Sequence, residues 1–95
     1  MGRDIRVESK HFSYYGSKSS DLLMAFDLFF SYFPRRDIED SIFFNVNLSR
    51  KEFKQVVGFV EKNIKFFRKP EELLEKLGNI YVRMMPKDFV EISIT

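Results

Sequence analysis

Between Leu48 and Arg50 the chain changes its hydrophobic period with nothing in between. From Ser41 to Leu48, Ile42, Phe44, Val46 and Leu48 fall on one side and Phe43, Asn45 and Asn47 on the other. A period of two is the pattern of a strand with one face covered. Ser49 and Glu52 follow directly and match a capping box, in which the Ser hydroxyl and the Glu carboxylate each satisfy one backbone N–H of a helix start. Leu48 and Phe53 match the hydrophobic staple that brackets such a start. A strand running straight into a helix predicts two layers packed on each other, because the strand's apolar side and the helix's apolar stripe must share one core. The helix is predicted to continue to about Phe67.

The other elements are read from the same two periods. Ile5 and Val7 alternate with Arg6 and Glu8, which predicts a strand over Asp4–Ser9. His11–Ser20, rich in Ser and Tyr around Gly16, reads as a loop with a short strand at Phe12–Tyr14. Ser19 or Ser20 is placed to cap a helix that has Asp21 in its first turn and ends before Pro34. Leu22, Phe26, Phe29 and Phe33 share one face of that helix, and only Asp27 and Ser31 form a polar seam. A helix apolar on most sides must be covered on most sides. Arg35–Ser41 reads as a charged connection. Pro70 and the acids Glu71 and Glu72 predict the first turn of a short helix, with Gly78 as its left-handed cap. Ile80–Met85 and Phe89–Thr95 alternate about Pro86-Lys87-Asp88, which predicts a C-terminal hairpin. The predicted order is β-α-β-α-α-β-β. It makes residues 1–95 a single α+β domain with about four strands in a mixed or antiparallel sheet, packed by two main helices and one short helix.

Composition removes several functions. The 95 residues contain no Cys, so disulfide scaffolds, thiolate metal sites and cysteine nucleophiles are excluded. A single His, His11, cannot supply paired imidazoles. The four glycines, at 2, 16, 58 and 78, are too far apart to frame a phosphate loop or a serine elbow. The longest apolar stretch, Leu22–Phe33, has twelve residues where a membrane span needs about twenty. The N-terminus carries charge and no apolar run, unlike a secretory leader. Gly2 is followed by Arg6 where a myristoylation motif has Ser or Thr. A cytoplasmic protein without metal or cofactor is expected.

What remains is surface. Asp37, Glu39 and Asp40 form an acidic cluster that matches no EF-hand spacing and reads as a secondary docking patch for a basic partner. With Arg50 at 0° and 100° per residue, Phe53, Val56, Val57, Val60, Ile64 and Phe67 fall within about 240–340°, and Arg50, Lys51, Lys54, Lys62, Lys65, Arg68 and Lys69 within about 0–120°. Residues 50–69 hold seven basic and two acidic side chains, a local charge of +5. The remainder, nine basic against twelve acidic, carries −3. Phe59 and Phe66, one heptad apart and outside the apolar stripe, form a predicted partner-binding strip with Lys54, Lys62, Lys65 and Lys69.

The leading reading is therefore a small non-enzymatic protein-binding module, of the inhibitor, immunity-protein or antitoxin kind, or an accessory subunit. The second is a nucleic-acid-binding or regulatory domain using the basic helix 50–69. Tyr81, Arg83 and Phe89 are its candidates for a stacking surface, although no nucleic-acid-binding signature is present. A small enzyme using carboxylates, Lys or Tyr is third, with no spacing to support it. The apolar first helix and the Phe59/Phe66 pair also predict a homodimer.

Overall fold

The computed structural model describes residues 4–10, 12–16, 20–33 and 44–95. His11, Pro34, the predicted Arg35–Ser41 connection and the acidic cluster Asp37, Glu39 and Asp40 lie outside the described residues. Four strands, β1 (Ile5–Glu8), β2 (Ser13–Gly16), β3 (Phe44–Ser49) and β4 (Phe89–Ile94), form one antiparallel sheet in the order β2-β1-β4-β3. Three α-helices pack with them, α1 (Asp21–Tyr32), α2 (Arg50–Lys62) and α3 (Pro70–Arg83), together with a 3-10 turn at Ile64–Phe66. The fold is α+β.

The sheet separates its residues by period two. One row across it is Tyr14, Val7, Ile92 and Val46, and Leu48 stands opposite Val90. Val7, Val46, Leu48, Val90, Ile92 and Ile94 are buried against the helices. The next rows, Tyr15–Arg6–Ser93–Asn45 and Ser13–Glu8–Glu91–Asn47, form the other face, and Arg6, Ser13, Tyr15, Asn45 and Asn47 are exposed there. On that face Arg6 Nε pairs with Glu8 Oε1 at 3.0 Å, and Ser13 Oγ donates to the same oxygen at 3.3 Å. Ser93 is buried among these polar neighbours, and its hydroxyl has no hydrogen-bond partner among the described residues.

The two predicted caps form. Ser20 Oγ accepts from Leu23 N–H at 3.2 Å and starts α1. At α2, Ser49 Oγ accepts from Glu52 N–H at 3.2 Å, while Glu52 Oε1 accepts from Ser49 N–H at 3.1 Å. Leu48 and Phe53 are both buried beside this start. α1 buries Leu22, Leu23, Ala25, Phe26, Phe29 and Phe30, so half of its twelve residues are covered by the molecule's own core. The need for cover that its composition implies is met largely from within.

Three sequence expectations are corrected. First, the helix from Ser49 stops at Lys62 and not at Phe67. Asn63 Nδ2 donates to the Phe59 carbonyl at 2.8 Å, the acceptor a continuing helix would reserve for the Asn63 N–H. That N–H turns to Val60 O at 3.1 Å instead. A short amide side chain competing with the backbone is a known helix breaker. The 3-10 turn that follows keeps Phe67 buried but throws Ile64, of the same predicted stripe, out to 50% exposure.

Second, the chain does not end in a hairpin. α3 runs through Gly78 to Arg83, and no described residue has a left-handed backbone. Leu73, Leu77, Ile80 and Met84 are buried at spacings of four, three and four, while Val82 is 74% exposed. The helical period over the whole segment outweighs the local alternation at Ile80–Met85. Pro86 lies in the turn between α3 and β4, where Asp88 Oδ2 accepts from Met85 N–H and Asp88 N–H donates to Met85 O, each at 2.9 Å.

Third, the hairpin is at the N-terminus. β1 pairs with β2, and β4 enters between β1 and β3, so the order of elements is β-β-α-β-α-α-β with three full helices.

Candidate functional site

A concavity lies between α1, α2 and β3. It is a cleft of about 550 Å³ walled by Phe29, Phe30, Phe33, Leu48 and Phe59, with Glu52, Gln55, Gly58 and Lys62 completing its lining. Its aromatic wall is built by the C-terminal turn of α1 meeting the middle of α2. The Phe59 ring stands edge-on to Phe29 at 5.7 Å and to Phe33 at 6.1 Å, and lies 5.6 Å from the Tyr32 ring. Phe29 also meets Phe33 at 5.1 Å and Phe30 at 5.4 Å. Edge-to-face geometry sets the positive ring edge against the negative face of its neighbour, and each such pair adds about 0.5–1.5 kcal/mol beyond burial. The wall is therefore preorganised, although Tyr32 and Phe33 are 61% and 55% exposed. Large aromatics held open beside polar groups are the usual composition of an interface anchor.

The predicted strip takes a different form from the one the helical wheel implies. Phe59 is half-buried in this aromatic wall, whereas Phe66 is exposed on the 3-10 turn with Lys65 Nζ 5.5 Å from its ring centre. The break at Asn63 separates them, so they are not one heptad stripe. Lys62 is exposed at the end of α2 and contributes to the cleft. Lys54 is exposed at a second, smaller groove between α2 and α3 with Val57, Gly58, Glu61, Gly78 and Tyr81. Lys69 is exposed at the cap position of α3.

The basic stripe divides as well. Arg50 is committed to the fold: its Nε donates to Met84 O at 3.0 Å and its guanidinium lies 4.1 Å from the centre of the Tyr81 ring. Arg68 and Lys69 are held through their backbones, whose N–H groups donate to the two Asp21 carboxylate oxygens at 3.0 and 2.8 Å. This fork ties the start of α1 to the start of α3 and directs the two long side chains outward. A hollow of about 270 Å³ beside it is lined by Ser20, Asp21, Leu22, Arg68, Lys69, Glu72, Leu73 and Lys76.

The stacking candidates also move. Tyr81 and Arg83 belong to α3, where Tyr81 supports Arg50 and Arg83 Nη1 is 3.5 Å from Tyr14 Oη. Phe89 remains on β4 and is 60% exposed. Tyr15, which no sequence pattern marks as a candidate, is 70% exposed on the open face of β2. Phe33 and Tyr32, also left out of the site, were legible only as the C-terminal end of an apolar helix.

Among the described residues no group of three or more His, Asp or Glu side chains is placed to hold a metal ion. No described helix is long and apolar enough to cross a membrane. No family model matches the chain, and no match was found among curated proteins or solved structures.

Proposed function

We propose that the protein is a small non-enzymatic protein-binding module, an inhibitor, immunity protein, antitoxin or accessory subunit by class. In this reading its partner docks an amphipathic, acidic segment on the α1–α2 cleft. The observation that carries this reading is the aromatic wall of Phe29, Phe33 and Phe59, of which Phe33 is exposed, with Lys62 lining the same cleft. Apolar side chains of the partner fill the cleft, and its carboxylates face Lys62, Lys65 and the +5 segment 50–69. Such a surface acts by occupying the partner's own site, and its charge speeds the encounter.

The test is affinity capture from the native host after nuclease treatment, at two salt concentrations, with wild type beside the double substitution Phe33→Ser and Lys62→Glu. The expected outcome is one stoichiometric protein on wild type that is lost from the double variant. Retention of that protein by the variant moves the docking surface elsewhere.

The nucleic-acid reading has one observation of its own. The open sheet face presents Tyr15, Phe89 and Arg6. Stacking on exposed aromatics suits single strands. Against it, Glu8 stands directly opposite Glu91 in the middle of that face, where a phosphate backbone would lie. Nucleic acid recovered from untreated lysate, with a steep loss on adding salt, makes this the working function.

A further inference from the structure

The groove between α2 and α3 encloses about 190 Å³ and is lined by Lys54, Val57, Gly58 and Glu61 of α2 and by Gly78 and Tyr81 of α3. All six lie within the continuous described stretch 44–95. The groove is open to solvent. Lys54 and Glu61 are exposed, and a Cβ on either glycine would meet nothing within 4 Å. The side chains of Lys54 and Glu61 form no hydrogen bond or ion pair among the described residues. Two opposite charges therefore stand unpaired at the two ends of one groove.

The α2 wall of this groove is complementary to itself. Spacings of three and four put Lys54, Val57, Gly58 and Glu61 on one side of the helix. The base stands one heptad before the acid, with Val57 and Gly58 midway. An antiparallel copy of α2, related by a two-fold axis at Val57–Gly58, sets Lys54 against Glu61 of the copy and Glu61 against its Lys54. Glycine at the centre removes the side chain that would hold two helix backbones apart. A ligand of one sign would satisfy one end of the groove and be repelled by the other, whereas a reversed copy satisfies both.

We propose that the α2–α3 groove seats α2 of a second copy of this chain, antiparallel about Gly58, with two Lys54–Glu61 pairs across the two-fold axis. Helices that cross at about 50° touch over about two turns. Lys51 and Lys65 lie beyond those turns and diverge from the copy. Lys62 contributes to the aromatic cleft on the other side of α2. The remaining bases of the +5 segment 50–69 are thereby kept out of the contact. A contact of this extent falls in the small, weak class of interfaces, so a concentration-dependent dimer is expected.

Sedimentation equilibrium tests this on four samples: wild type, Lys54→Glu, Glu61→Lys, and an equimolar mixture of the two variants. Each substitution exchanges one exposed side chain of α2 for another good helix former, so folding is preserved. Wild type is expected to approach twice the 11.4 kDa chain mass as concentration rises. Either variant alone sets like charges opposite each other twice and is expected to raise the dissociation constant at least about tenfold. In the mixture, Glu61 of the first variant faces Lys54 of the second, and the introduced glutamate faces the introduced lysine. The mixture is therefore expected to dimerise about as well as wild type, which also shows that both variants are folded. A wild type that stays at 11.4 kDa up to about 1 mM overturns the proposal. So does either variant alone dimerising as wild type does, or a mixture that stays monomeric.

Discussion

Single side chains at helix termini and helix surfaces determine more here than their size suggests. Ser49 satisfies one N–H of α2 and positions Glu52 to satisfy another. Ser49→Ala is expected to cost about 1 kcal/mol in urea unfolding, the usual value of a lost cap. Gly58 and Gly78 sit inside α2 and α3, and a Cβ at either position would meet nothing within 4 Å. Glycine in a helix interior is less favourable than alanine by about 0.5–1 kcal/mol. Gly58→Ala and Gly78→Ala are therefore each expected to stabilise by up to about 1 kcal/mol, read as a higher urea midpoint at constant slope. Gly16 is the opposite case. A Cβ there would lie 2.7 Å from Ser20 Oγ and 3.0 Å from Ile5 Cγ2, so Gly16→Ala displaces the hydroxyl that caps α1. A loss of about 1 kcal/mol is expected, with the α1 amides exchanging faster.

The elements are held together by contacts that cross long stretches of chain. Asp21 joins the start of α1 to the turn before α3 through the amides of Arg68 and Lys69. Asp21→Ala removes both acceptors and the first-turn acid of α1. It is expected to cost about 1–2 kcal/mol, with the largest exchange changes at Arg68 and Lys69. The aromatic wall behaves as a unit because Phe59 touches Phe29, Tyr32 and Phe33 together. Phe59→Ala is expected to cost about 2–3 kcal/mol, below the 3–5 of a fully buried Phe, because the ring is only half covered. Lys62→Glu leaves the wall in place. It is expected to slow association with an acidic partner while lowering stability by no more than about 1 kcal/mol, the cost of an acid in the last turn of a helix, which separates a docking role from a folding role.

Across the whole molecule, one face is built for packing and the other is left polar. Helices cover the Val7, Val46, Leu48, Val90 and Ile92 side of the sheet, and Arg6, Tyr15, Asn45 and Asn47 face outward. The cleft opens at the edge of the helical layer, and Leu48 of the marginal strand β3 contributes to its wall. Partner docking is therefore proposed for the helical side, where the surface is aromatic and basic.

Local rules were sufficient wherever a signal was complete within a few residues. The β1 alternation, the Ser20 cap, the strand into Leu48 and the Ser49–Glu52 box are all satisfied by neighbours in the chain, so their positions could be read directly. The outcome at Asn63 was equally local, but the residue had two acceptable uses, a helix interior or a side-chain bond to the Phe59 carbonyl, and its spacing does not choose between them. Ile80–Met85 fits a strand by alternation and a helix by the spacing of Leu73, Leu77, Ile80 and Met84. The helix wins because that spacing buries four side chains on one stripe while β4 fills the place between β1 and β3. The aromatic wall was the least legible feature, because Phe29, Phe33 and Phe59 come together only through the crossing of two helices. The chain by itself determined the class of fold, the caps and the two faces of the sheet, since these depend on period and short-range hydrogen bonds. The tertiary structure alone decided strand order, the end of α2, the reach of α3 and the cleft, since burial is settled between elements distant in sequence.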